Sequence, residues 1–140
     1  MIFTPLQYDS GKVKELPVKE DNTISKGDAL TFTGGYALRA DENADEVRFV
    51  ALEDVVSPDT DSDGDKTVLA VSTQGVEFEA KTHAESAQAQ VNVVYKLKET
   101  TRILDNETAG DVFLVVQTVG PATAKKVRGY FLDRVSVANA

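Results

Sequence analysis

Val47-Arg48-Phe49-Val50-Ala51-Leu52-Glu53-Asp54-Val55 returns about 80 residues later as Val127-Arg128-Gly129-Tyr130-Phe131-Leu132-Asp133-Arg134-Val135. Each copy is preceded by a Gly-Asp pair, Gly27-Asp28 or Gly110-Asp111, leading into a short apolar strand, Leu30 and Phe32 in one case and Val112 and Leu114 in the other. The shared pattern is Gly-Asp, a strand, a glycine turn and then V-R-x-x-x-L-[DE]-x-V. Glycine suits a left-handed turn position and aspartate accepts hydrogen bonds from turn amides, so the pair is a structural signal for the start of a strand. Two copies at this spacing predict a duplicated β unit, with pseudo-repeats over about residues 27–80 and 91–137.

The segments around the repeat read as strands. Leu30 and Phe32 alternate with Thr31 and Thr33, Gly34-Gly35 interrupts, and Tyr36, Leu38 and Ala40 resume the alternation, which is a hairpin signal. A second hairpin is expected from Val68 to Val71, returning through Thr73-Gln74-Gly75 into Val76 to Ala80, where Val76, Phe78 and Ala80 share one face. Lys81 to Gln90 is polar and reads as a loop, and Val91, Val93, Tyr95 and Leu97 as the following strand. Val112 to Val119 is apolar on both faces and predicts a fully buried strand with Leu114 and Val116 in the core. A last strand runs from about Val127 to Val137, bent or bulged at Gly129. The class is all-β. Residues 1–26 hold two of the four prolines, Pro5 and Pro17, without a sustained period, and read as an extended N-terminal arm before a β domain over 27–140.

With 140 residues, 41% hydrophobic and 27% charged, the chain can bury a core without a disulfide or metal staple. It has no cysteine, which removes disulfides, thiolate zinc sites and thiol nucleophiles. The start, MIFTPLQYDSGK, lacks a basic stretch before an apolar core, and no apolar run approaches the roughly 20 residues of a membrane helix, so the expectation is a soluble protein with no membrane partner. The net charge of −8 is uneven. Ten acids against Arg48 give −9 between Asp41 and Asp65, leaving +1 for the remainder. Such a field repels phosphate backbones and argues against direct nucleic-acid binding.

His83 is the single histidine and lies in a polar stretch without a serine-aspartate signature nearby. Phosphate-binding glycine motifs and the G-x-S-x-G nucleophile motif are absent, and the expectation is that the chain is not an enzyme. The sharpest local motif is Asp59-Thr60-Asp61-Ser62-Asp63-Gly64-Asp65, the D-x-D-x-D-G opening of a calcium loop, with Asp59, Asp61, Asp63 and Asp65 as oxygen ligands. Its twelfth position is Ala70 instead of a bidentate glutamate. A Ca2+ site and an acidic turn without a cofactor are both open readings.

The order of an arm, Ser25-Lys26-Gly27-Asp28-Ala29-Leu30, a Gly34-Gly35 turn, the Val47-to-Val55 strand and Val68 to Val71 before Gly75 resembles capsid decoration, or cement, proteins of tailed bacteriophages. Thr108-Ala109-Gly110-Asp111-Val112-Phe113 and Val127 to Val135 look like the recurrent β-barrel unit of that group. The resemblance implies a small β-barrel or β-tulip made of two similar units. It also implies a homotrimer on the outer capsid surface of the virion, made in the host cytoplasm, whose partner is the major capsid protein and which carries no catalytic residues. In that setting an arm that orders on assembly would use Phe3, Leu6, Tyr8, Val13, Leu16 and Val18 as anchors. The alternatives are another phage structural protein, such as a tail-tube, head-fibre or head-completion component, or a calcium-dependent carbohydrate or adhesion module.

Overall fold

Gly34 and Gly35 have φ of 59° and 87°, the paired left-handed conformation of a two-residue type I′ turn. They join β4 (Ala29–Thr33) to β5 (Tyr36–Arg39) in the expected hairpin, in register from Leu30 opposite Arg39 to Thr33 opposite Tyr36. The computed structural model describes residues 1–44, 46–98 and 101–132. The other strands are β1 (Phe3–Pro5), β2 (Val13–Pro17), β3 (Asn22–Ile24), β6 (Phe49–Ala51), β7 (Val55–Ser57), β8 (Thr67–Ser72), β9 (Phe78–Lys81), β10 (Val94–Leu97), β11 (Leu104–Ala109), β12 (Phe113–Thr118) and β13 (Lys126–Phe131). The fold is all-β, with three short 3-10 turns among the described residues, one of them at Gln88–Gln90 inside the stretch expected to be loop.

The strands form two principal sheets, β2-β8-β6-β4-β5 and β9-β13-β12-β10-β11, with β1 added outside β9; β3 and β7 form a separate pair. Numbered by chain order within each set of five, both sheets read first, fifth, fourth, second, third. Both also curl in the same way. Where the first strand ends, it meets the third through one isolated parallel bridge, Val18 with Ala37 and Thr82 with Leu104. The amides match: Val18 N–H donates to Lys66 O and Lys19 N–H to Ala37 O, while Thr82 N–H donates to Lys125 O and His83 N–H to Leu104 O. One bridge is not a ladder, so the closed barrel implied by the resemblance is corrected to two curled, open sheets among the described residues. The parallel contact falls where the chain is already leaving the first strand, and a single residue is left to pair.

The duplication therefore exists, but in a different register from the sequence motif. Gly27-Asp28 precedes the second strand of the first unit, whereas Gly110-Asp111 precedes the fourth strand of the second. The pairing identifies the true counterparts. Ala29 lies opposite Val50 and Val50 opposite Val71 in one unit; Val94 lies opposite Leu114 and Leu114 opposite Tyr130 in the other.

The second expected hairpin does not form, because β8 and β9 belong to different sheets. Thr73 is buried, its N–H donates to Arg48 O and its Oγ1 to Val47 O at 2.9 Å, so the chain stays beside residues 47 and 48 and then crosses over. Gly75, with φ of 71°, turns that crossing. The bulge expected at Gly129 lies across from it, in β12, between Val115 and Gln117. A Cβ at Gly129 would stand 1.9 Å from Leu114 O, so only glycine lets β12 approach. The final strand ends at Phe131; Val135, Val137 and the rest of that prediction lie outside the described residues.

Side chains alternate between two clusters. Leu30, Ala51, Val68 and Ala70 fill the first unit with Val18, Ile24 and Ala37. Their neighbours Ala29, Val50 and Val71 point the other way and join one cluster with Phe3, Phe78, Tyr95, Phe113 and Phe131. The units thus share a core. β12 is not buried on both faces, since Phe113 and Val115 are fully buried while Leu114 and Val116 are only half-buried on the outer side.

Candidate interaction surface

The N-terminal residues are built into the sheets. β1 pairs with β9, β2 with β8 and β3 with β7. The free arm over 1–26 is thereby corrected: its isolated apolar residues are spaced for short strands completed by distant partners. Phe3 is fully buried, its ring centroid 4.8 Å from that of Phe131 and 5.7 Å from that of Phe113. Val18 is equally buried in the first unit, Leu16 packs against the same cluster, and Val13 is half-buried opposite Val71. Phe3, Leu16 and Val18 serve the chain's own core, and Val13 is tied into β2 beside them.

Leu6 and Tyr8 differ. They lie between β1 and β2 and are 39% and 40% exposed. The segment that carries them is held at both ends. Leu6 N–H donates to Glu77 O at 3.0 Å, Gly11 N–H donates to the Asp9 carboxylate at 3.1 Å, and Lys12 Nζ donates to Gln74 O at 2.9 Å. An open cleft of 310 Å³, lined by Gln7, Tyr8, Asp9, Lys12, Gly75 and Val76, sets Tyr8 over the connector between the units. Two apolar side chains on a pinned loop are presented with little entropy left to lose on binding.

The four aspartates of the calcium-like loop do not converge. Asp61 accepts from Lys66 Nζ at 3.0 Å, Asp65 from Ser62 N–H at 2.8 Å, and Asp63 from Lys19 Nζ at 3.2 Å and Glu20 N–H at 3.0 Å. The Glu20 amide, and then Lys19, hold the Asp63 carboxyl below the ordinary aspartate value. Asp59 is exposed at the loop's start. Among the described residues no group of three or more acidic or histidine side chains is placed to hold a metal ion. The loop joins β7 to β8 and is stitched to the β2–β3 connection by Lys19 and Asp63.

Two polar centres lie deeper. Asp28 is buried, with Arg39 Nε 3.1 Å from its Oδ2 and Ser25 N–H donating to the same oxygen at 2.8 Å. Asn106, on a strand too polar to be read from sequence, accepts from Ala84 N–H at 2.8 Å and donates to Ala84 O at 2.9 Å. His83 faces Glu107 at 3.4 Å, both exposed.

Sequence reasoning also missed the outer face of the second sheet. Val94, Leu114 and Tyr130 form a cross-strand apolar row there, and Tyr130 is 38% exposed. Lys81, Lys126, Arg128 and Lys96 flank the row, with Glu79 3.7 Å from Lys126 and 4.0 Å from Arg128 and Asp105 opposite Lys96. The signal was available in the alternation Lys126-Val127-Arg128-Gly129-Tyr130-Phe131.

No family model matches the chain, and no curated protein matches it in sequence. Among the described residues no helix is long and apolar enough to cross a membrane.

Proposed function

We propose that this chain is a non-catalytic virion protein that binds the outer surface of a bacteriophage capsid as a homotrimer and stabilises contacts between major capsid subunits. The observation that carries the reading is the exposed Leu6–Tyr8 segment, fixed at one end by the Leu6 amide on Glu77 O and at the other by the Lys12 side chain on Gln74 O, and seated where the two units join. A clamp needs a stiff body with a presented apolar contact. The shared core supplies the first, and this segment the second. The acidic side of the molecule suits an outward surface that does not engage DNA. Of the six anchors expected from sequence, Leu6 and Tyr8 carry the contact, while Phe3, Val13, Leu16 and Val18 hold the segment in place from inside.

The test is to mix purified protein with expanded phage heads lacking decoration, image them, and measure their heat resistance. Saturating occupancy at defined lattice positions with a raised head melting temperature is the expected result. Leu6→Ala combined with Tyr8→Ala should weaken that binding by about 10- to 100-fold, as loss of central apolar anchors does, and leave the free protein's melting nearly unchanged. Absence of wild-type binding to any mature head overturns the proposal.

A further inference from the structure

In the first unit the row Ala29, Val50 and Val71 is fully covered, because it joins the cluster shared with the second unit. The same positions of the second unit, by strand order and register, are Val94, Leu114 and Tyr130. One copy of the duplicated face is therefore used inside the chain, and the other is turned outward with Tyr130 38% exposed. Its flanks have become basic where the first unit's row is wholly aliphatic.

Charge says what covers that outward face. Residues 1–77 hold seven basic and sixteen acidic side chains, a balance of −9, and residues 78–140 balance at +1. Around the outward row, Lys81, Lys96, Lys126 and Arg128 stand against Glu79 and Asp105, four bases to two acids. A contact of this face with the same face of another copy would place base against base. A contact between this face and the acidic first unit of a second copy brings opposite fields together, and where it is made head to tail it repeats until it closes into a ring or extends as a chain.

We infer that the outer face of the second sheet, centred on Val94, Leu114 and Tyr130, docks onto the acidic first unit of a second copy of this chain. It deepens the trimer of the proposed function and is argued from topology and charge; its failure would count against a trimer in solution and leave the Leu6–Tyr8 contact with the capsid untouched.

Sedimentation velocity of the full chain at about 25 mM and about 500 mM salt tests it, since surface charge attraction is largely screened at the higher value. The expected result is a self-associated species at low salt that dissociates at least tenfold more readily at high salt. Leu114→Asp should sediment as a monomer in both. It should still bind wild-type protein, because its own first unit can receive a neighbour's intact face. Should Leu114→Asp fail to fold, as its circular dichroism would report, Tyr130→Ser is read in its place, since that side chain is already partly in solvent. A wild-type monomer at millimolar concentration and low salt overturns the inference, and so does an oligomer that the folded variant leaves intact.

Discussion

Asp28 shows how a residue read correctly in sequence can carry a second property that sequence does not display. Following Gly27, it was expected to accept a turn hydrogen bond, and it accepts one from Ser25 N–H. Nothing in the local letters says that the carboxyl is 2% exposed beside Arg39. Burial, the largest influence, pushes its pKa above the ordinary 3.8, against the Ser25 hydrogen bond and the positive charges of Arg39 and Arg102. The sign follows from linkage. A carboxyl with a raised folded pKa binds its proton more tightly in the native state, so its contribution is fully present below the unfolded value and is lost as pH rises through the folded one. Asp28→Asn keeps an oxygen for the Ser25 amide and removes the titration. In paired thermal melts from about pH 3 to about pH 7, the wild type should lose stability relative to Asp28→Asn as pH rises. The opposite slope would mean that the attraction of Arg39 outweighs the loss of water.

At the scale of elements, legibility follows length and pattern. The β4–β5 hairpin was visible because a glycine pair and period-two alternation coincide, and β8 and β12 because short valine-containing apolar runs, Val68 to Val71 and Val112 to Val116, mark them. β1, β2 and β3 were not. Three to five residues carry no measurable period, and each is made a strand by a partner that lies 30 to 80 positions away, such as Ala80 opposite Phe3. β11 was hidden differently: Asp105 and Asn106 are buried polar residues, and Asn106 is held by hydrogen bonds to Ala84 in place of an apolar face. The β1 correction has a measurable consequence. Phe3 is enclosed by Phe113 and Phe131, so Phe3→Ala should cost about 3–5 kcal/mol in denaturant unfolding, the range for a buried phenylalanine truncated in a core. A loss below about 1 kcal/mol would return β1 to the status of a loosely attached arm.

For the whole molecule, the sequence motif announced a duplication and misplaced its register, because valine-rich strands share a small alphabet and the motif matched a second strand to a fourth. Only hydrogen-bond pairing distinguishes those positions. The candidate contact was half legible for a related reason: Leu6 and Tyr8 stood among six apolar residues, and only burial separated the two that reach solvent from the four that do not. The corrected architecture decides how the molecule should unfold. Two units joined by a short connector could melt separately, but Ala29, Val50 and Val71 of the first share a cluster with Phe78, Tyr95 and Phe113 of the second. Loss of either unit exposes apolar surface on the other. Calorimetry under conditions where the chain is monomeric should therefore give one transition with equal calorimetric and van't Hoff enthalpies. Val71→Ala should lower hydrogen-exchange protection of β12 and β13 amides by the same factor as those of β6 and β8, although no β12 or β13 residue is changed. Two transitions, or a loss of protection confined to the first sheet, would show that the shared cluster does not couple the units.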